Sequence, residues 1–165
     1  MFSRILMILA VAFTLQLATS GTAQAGDVVC HNNDCLRFGW TYRTFQGYTV
    51  VRCNMNDCMN VGYTATDNFG RTTSGACKAG GCYVSGWVET QHFFPYQGFE
   101  TICKGNQCMG LGWSTYQYGR MVADVTCTNL SCLAFGWNMT VFPNAYTNVQ
   151  CKAGACFTFG WVTYP

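Results

Sequence analysis

One pattern occurs six times and constrains the chain more than any other feature: Cys, four residues, Cys, three residues, Gly, aromatic. The first cysteines are Cys30, Cys53, Cys77, Cys103, Cys127 and Cys151, and the second are Cys35, Cys58, Cys82, Cys108, Cys132 and Cys156. Gly39, Gly62, Gly86, Gly112, Gly136 and Gly160 follow, then Trp40, Tyr63, Trp87, Trp113, Trp137 and Trp161. All 12 cysteines and all five tryptophans belong to the pattern, so chance is excluded as its source. The copies recur about every 24 residues, and no linker or change of composition separates them. A fixed short period means that one supersecondary unit repeats against copies of itself. Residues 26–165 therefore read as a single six-repeat, Cys-rich β domain.

Each copy reads as a β-hairpin. After the second Cys, apolar residues fall at every other position: Leu36, Phe38 and Trp40 in the first copy, Leu133, Phe135 and Trp137 in the fifth. A period of two is the strand period, which predicts one apolar face and no helix after residue 25. The third copy departs from this, with Ser85 in the middle slot and Glu89 just beyond Trp87. Segments before the first Cys are also β-prone, as in Tyr48–Arg52 and Val122–Thr126. The residues inside each Cys pair are turn formers, and so are Gln46-Gly47, Asn68–Gly70, Tyr118-Gly119 and Pro143-Asn144 at the opposite ends. The expectation is about 12 short strands in an up-and-down meander.

A four-residue hairpin loop would place its flanking cysteines opposite each other, at a separation of ~4.5–5.5 Å that suits a disulfide. Each Cys is therefore paired with the one five positions on. Zinc needs four ligands from two copies, and a redox thiol usually sits in Cys-x-x-Cys, which is absent. The recurrent Gly marks a close backbone approach between neighbouring hairpins.

Six equivalent units either stack as an open solenoid or close on themselves. Open stacks carry atypical end copies, whereas here the first and last copies match the rest. That favours a pseudo-sixfold ring, like a miniature propeller, with the chain ends meeting. A β-trefoil, the alternative ahead of the solenoid, would make alternate hairpins differ. The Phe-Gly-Trp form instead occurs in copies one, five and six.

Residues 1–25 have the layout of a secretory signal. Arg4 carries a positive charge, Ile5–Ala18 is almost wholly apolar, and Ala23-Gln24-Ala25 ends the segment, predicting cleavage after Ala25. The apolar run is too short to span a bilayer, which takes ~20 residues. A secreted or periplasmic location follows, with no membrane span in the mature chain, and it agrees with an even cysteine count in a disulfide scaffold. Nine Lys+Arg face seven Asp+Glu, so no basic stripe for nucleic acid exists.

Catalytic signals are weak. The carboxylates Glu89, Glu100 and Asp124 are scattered, while acid/base chemistry needs a positioned pair. His31 and His92 read as solvated turn residues, and no phosphate-cradling or dinucleotide motif occurs. Asn33-Asp34 and Asn56-Asp57 offer carboxamide and carboxylate oxygens to calcium in only two copies. No enzyme activity, cofactor or metal is expected.

The aromatics remain. Trp40, Tyr63, Trp87, Trp113, Trp137 and Trp161 form either a core belt or a ring of platforms that stack on sugar faces. Further aromatics near turns, Tyr42, Tyr48, Phe93, Phe94, Tyr96, Phe99, Tyr116, Tyr118 and Tyr146, are candidates for a rim. The sequence thus points to a non-enzymatic binding module with lectin-like recognition of glycans or cell-envelope material. The alternative is a structural or protein-interaction domain with a protein partner.

Overall fold

The computed structural model describes residues 26–44, 46–93, 97–143 and 145–164. The expected signal, its cleavage point, and Phe94 and Tyr96 lie outside them. Twelve antiparallel strands follow one another around a closed barrel. They are β1 (Gly26–Cys30), β2 (Trp40–Thr44), β3 (Gly47–Cys53), β4 (Gly62–Asp67), β5 (Thr72–Cys77) and β6 (Trp87–Gln91). The second half has β7 (Gly98–Cys103), β8 (Gly112–Gln117), β9 (Arg120–Cys127), β10 (Trp137–Val141), β11 (Ala145–Cys151) and β12 (Trp161–Tyr164). β1 closes on β12, with Gly26 opposite Thr163 and Asp27 opposite Val162. The expected meander of six hairpins and its closure are both present. Hydrogen bonding runs unbroken round the wall, which leaves no free sheet edge among the described residues.

The residues after the second Cys differ from the strand expected there. They form single helical turns: α1 (Cys35–Phe38), α2 (Cys82–Ser85), α3 (Cys108–Leu111), α4 (Cys132–Phe135) and α5 (Cys156–Phe159). In the second copy, residues 58–61 are a turn. Four residues are too few to separate a period of two from one of 3.6; a side-chain cap is present at α1 and α4 and absent at α2, α3 and α5. The Asp34 carboxylate accepts from the Arg37 N–H at 3.0 Å, and the Ser131 hydroxyl accepts from the Ala134 N–H at 3.3 Å. Asp57 accepts from the N–H groups of Met59 and Asn60.

The recurrent Gly ends the turn, at φ between 83° and 106°. A Cβ there would collide with a backbone carbonyl of the next hairpin: Val51 for Gly39, Gly75 for Gly62, Thr101 for Gly86, Val125 for Gly112 and Val149 for Gly136. Gly160 makes the sixth such contact, with Val28 across the seam. The close approach expected at this Gly is thus present in every copy.

All six disulfides join cysteines five apart, as expected, with Cα separations of 4.3–4.6 Å. The geometry behind them differs from the one expected. The first Cys stands opposite the aromatic residue in the ladder, Cys30 facing Trp40 and Cys127 facing Trp137. The bridge ties the end of an odd strand to the start of the helical turn, across a turn with left-handed residues such as Asn32 and Asn33. Each first-Cys sulfur also rests against the second-Cys carbonyl of the preceding copy, from Cys53 on Cys35 at 3.4 Å to Cys30 on Cys156 at 3.5 Å.

Inward side chains fill the barrel in layers. One layer alternates the repeated aromatics of the even strands with Val28, Val51, Gly75, Thr101, Val125 and Val149 of the odd strands. The next holds Tyr42, Ala65, Glu89, Thr115, Met139 and Thr163 with Thr49, Thr73, Phe99, Ala123 and Thr147. Burial of each large apolar side chain contributes ~1.5–3 kcal/mol. Among the described residues, no helix is long and apolar enough to cross a membrane.

Candidate functional site

The six repeated aromatics converge on the barrel axis. Trp40 packs against Trp161 at 5.8 Å between ring centroids, Trp161 against Trp137 at 5.4 Å, Trp137 against Trp113 at 6.0 Å and Trp113 against Trp87 at 5.7 Å. Tyr63 completes the circle between copies one and three. The planes are tilted or edge-on, which suits the aromatic quadrupole. All six are buried, with 1–5% of their surface exposed. They face the interior of the barrel, not its outer wall.

Above this ring, at the disulfide end, lies a cavity of about 50 Å³. All six aromatics line it, together with Leu36, Met59, Met109 and Phe157 from the helical-turn segments. These four follow the second Cys in their copies and are half-buried. The helical turns absent from the strand reading are therefore what builds the rim. Cys58 and Cys82 complete a lining that is almost wholly apolar. The volume exceeds the ~10–15 Å³ that a single water needs, but a water there would find too few polar partners.

The sixfold regularity breaks in one place. Copy two has Tyr63 where the others have Trp. Copies three and four have Gly75 and Thr101 where the other four have Val, and copy three alone has an acid two residues after its Trp. These departures meet in space. A Cβ at position 75 would collide with the Tyr63 ring, so Gly75 clears the room it occupies. The Tyr63 hydroxyl donates to Glu89 Oε1 at 2.6 Å, and Trp87 Nε1 donates to the same oxygen at 2.8 Å. Glu89 is 2% exposed, and its Oε2 has no hydrogen-bond partner among the described residues. Burial pushes the Glu89 carboxyl up to about 7 against the two hydrogen bonds that favour its ionised form. Burial, reinforced by the adjacent carboxylate, raises the Tyr63 phenol well above its ordinary value. Two residues along β6, Gln91 is equally buried, and its Nε2 lacks a partner among the described residues.

The remaining sequence candidates are dispersed. Glu100 pairs with Lys78 at 2.6 Å and Asp124 with Lys104 at 2.9 Å, both on the outer wall, and Lys152 repeats the arrangement with Asp27 at 2.6 Å. His31 Nε2 lies 2.9 Å from the Thr41 hydroxyl, and His92 Nε2 lies 2.7 Å from the Ser74 hydroxyl. Asp34 and Asp57 cap the segments after their disulfides. Tyr42 and Phe99 are core residues, whereas Tyr48, Tyr118 and Tyr146 are exposed.

One stretch of outer wall, on β10–β12, is free of charge. The Tyr146 hydroxyl and Asn148 Nδ2 both donate to Asn138 Oδ1, at 2.7 and 2.8 Å, and Gln150 Nε2 donates to Asn148 Oδ1 at 3.1 Å. Tyr164 stands opposite Asn148 and is exposed like Tyr146.

The association of Tyr63 with Glu89 was not apparent from sequence, because the two residues lie in different copies. The available signal was that the departures from the repeat occupy adjacent copies. No protein family, curated protein or solved structure matches this chain.

Proposed function

We propose that the protein is a non-enzymatic binding module of an oxidising compartment, secreted or periplasmic, that takes its ligand at the disulfide end of the barrel. The observation that carries this reading is the apolar cavity on the axis, to which every one of the six repeats contributes its aromatic ring. The cavity is concave, apolar and pre-formed on a scaffold stapled around its whole rim, features that ligand sites share, which supports this reading. A compact apolar head enters the cavity, and the rest of the ligand meets the rim of helical turns.

Recognition of glycans has a separate location in its favour. Tyr146 and Tyr164 present aromatic faces beside the linked amides of Asn138, Asn148 and Gln150 on an uncharged wall, and neutral sugars are held by stacking together with amide hydrogen bonds.

The test is calorimetry and tryptophan emission on the oxidised protein, with compact apolar ligands in one series and glycans in another. A Met59→Phe/Met109→Phe variant, which fills the cavity mouth with apolar bulk, serves as the control. Saturable binding of the first series, lost in the variant, is the expected result. Glycan binding that ignores the variant moves the site to the wall. Silence in both series overturns the binding-module reading in favour of a structural or protein-interaction role.

A further inference from the structure

We infer that the axial cavity is a cage for a methylated ammonium cation, with Glu89 as the anionic group behind it. The inference rests on the cavity being the ligand site and names the chemistry of its occupant. Three observations combine.

The lining is mostly aromatic, since the six ring residues are joined there by Phe157. Aromatic faces carry negative quadrupole potential, and rings gathered around one point attract a cation placed at their centre. The lining also offers almost no polar surface, so a strongly hydrated ammonium or metal ion would lose its water without replacement. A cation clothed in methyl groups has little hydration to lose and gains apolar contact as well.

The third observation is the carboxyl. Glu89 lies on the same face of β6 as the cavity-lining Trp87, one inward position further along the strand. The cavity residues Tyr63 and Trp87 donate to its Oε1, which draws negative charge toward their rings, while Oε2 has no partner among the described residues. A buried carboxylate without a counter-charge is costly in an apolar barrel, and a cation in the cage would favour the ionised form of Glu89. Among the inward residues of the flanking strands, Thr73 and Gly75 on β5 and Phe99 and Thr101 on β7, none carries a positive charge. Three lysines next to the disulfides, Lys78, Lys104 and Lys152, are paired with acids of the outer wall. The negative potential behind the cage is thus not cancelled by them.

The experiment compares choline with 3,3-dimethyl-1-butanol, its uncharged carbon isostere, by calorimetry and tryptophan emission on the intact oxidised protein. Choline is expected to bind about tenfold tighter than the alcohol, in line with a desolvated cation–π site. Glu89→Gln is expected to weaken choline about tenfold and leave the alcohol unchanged. Tyr63→Phe, which removes one hydrogen bond to Glu89 and keeps the ring, provides a second, milder variant should the first be poorly folded. A third arm offers phosphatidylcholine vesicles, and co-sedimentation would assign the cation to a lipid headgroup rather than a free solute. Equal binding of choline and the alcohol would overturn the cation inference and leave the apolar-cavity reading standing. Binding of neither would overturn the cation inference, and silence across the wider series of apolar ligands would overturn the cavity reading as well.

Discussion

Glu89 ties the stability of this barrel to pH. Its carboxyl titrates near 7 in the folded state against an ordinary 4.5. Below the ordinary value both folded and unfolded chains hold the proton, and full stability is present. As pH rises, the unfolded chain releases its proton first, so stability falls through the window up to about 7. The loss amounts to roughly 3 kcal/mol, since each tenfold change in a proton's dissociation constant is worth about 1.36 kcal/mol. Denaturant titrations at about pH 5 and pH 8 should show this drop in the wild type and its abolition in Glu89→Gln. A wild-type profile that is flat between the two pH values would contradict the burial argument. Met55 carries backbone strain instead. It lies at φ 52°, ψ 27° in the turn inside its disulfide, with its side chain 89% exposed. An L-residue there costs ~1–2 kcal/mol, and glycine escapes this at an entropic penalty of ~0.5–1 kcal/mol. The equivalent residue of the fourth copy is already glycine, Gly105. Met55→Gly should therefore raise the stability by ~0.5–1 kcal/mol in chemical denaturation, and a loss would show that the exposed thioether makes a contact of its own.

At the scale of the element, the unit is strand, disulfide turn, helical turn, glycine, strand. The glycine sets how closely successive units pack. Gly136 combines φ 83° with ψ −155°, a region populated almost only by glycine, and its α-carbon faces the Val149 carbonyl. Gly136→Ala should cost at least ~3 kcal/mol, because backbone strain adds to a collision with main chain that cannot rotate away. Thermal denaturation would register it, and a cost under ~1 kcal/mol would mean that the strands separate easily there. This glycine was legible in the sequence as a close-approach position. The helical turn before it was not, because Leu36 and Phe38 satisfy a strand pattern and a one-turn helix equally well. Only the capping by Asp34 and the termination at Gly39 distinguish them.

At the scale of the whole molecule, the seam between β12 and β1 repeats the side-chain and glycine contacts of the other five unit junctions over a shorter ladder. The Cys30 sulfur meets the Cys156 carbonyl, Gly160 meets the Val28 carbonyl, and Lys152 reaches both Asp27 and the Val28 carbonyl. Gly160→Ala should therefore destabilise the protein as much as Gly136→Ala, within ~0.5 kcal/mol for like contexts. A much smaller effect at Gly160 would mean that the ring is open in solution. Equal effects, with one cooperative transition in both variants, are what a closed barrel requires.

Local chemistry repeated six times was enough to predict, from sequence alone, the hairpin meander, the pairing of each cysteine with its neighbour and the tight packing at the glycines, and it favoured closure over a trefoil or a solenoid. Each of these depends on residues within one copy or on the likeness of all copies, and both are visible in a linear string. The tertiary structure alone decided the direction of the aromatics. Leu36, Phe38 and Trp40 read as one apolar face in sequence, but the helical turn rotates them apart. The indole is sent to the axis, while Leu36 goes to the cavity rim. It also decided that Tyr63, Gly75 and Glu89 form one cluster. They are ladder partners on three successive strands, so Tyr63 meets the other two across a copy boundary, and the periodicity within a copy carries no information about which departures meet there.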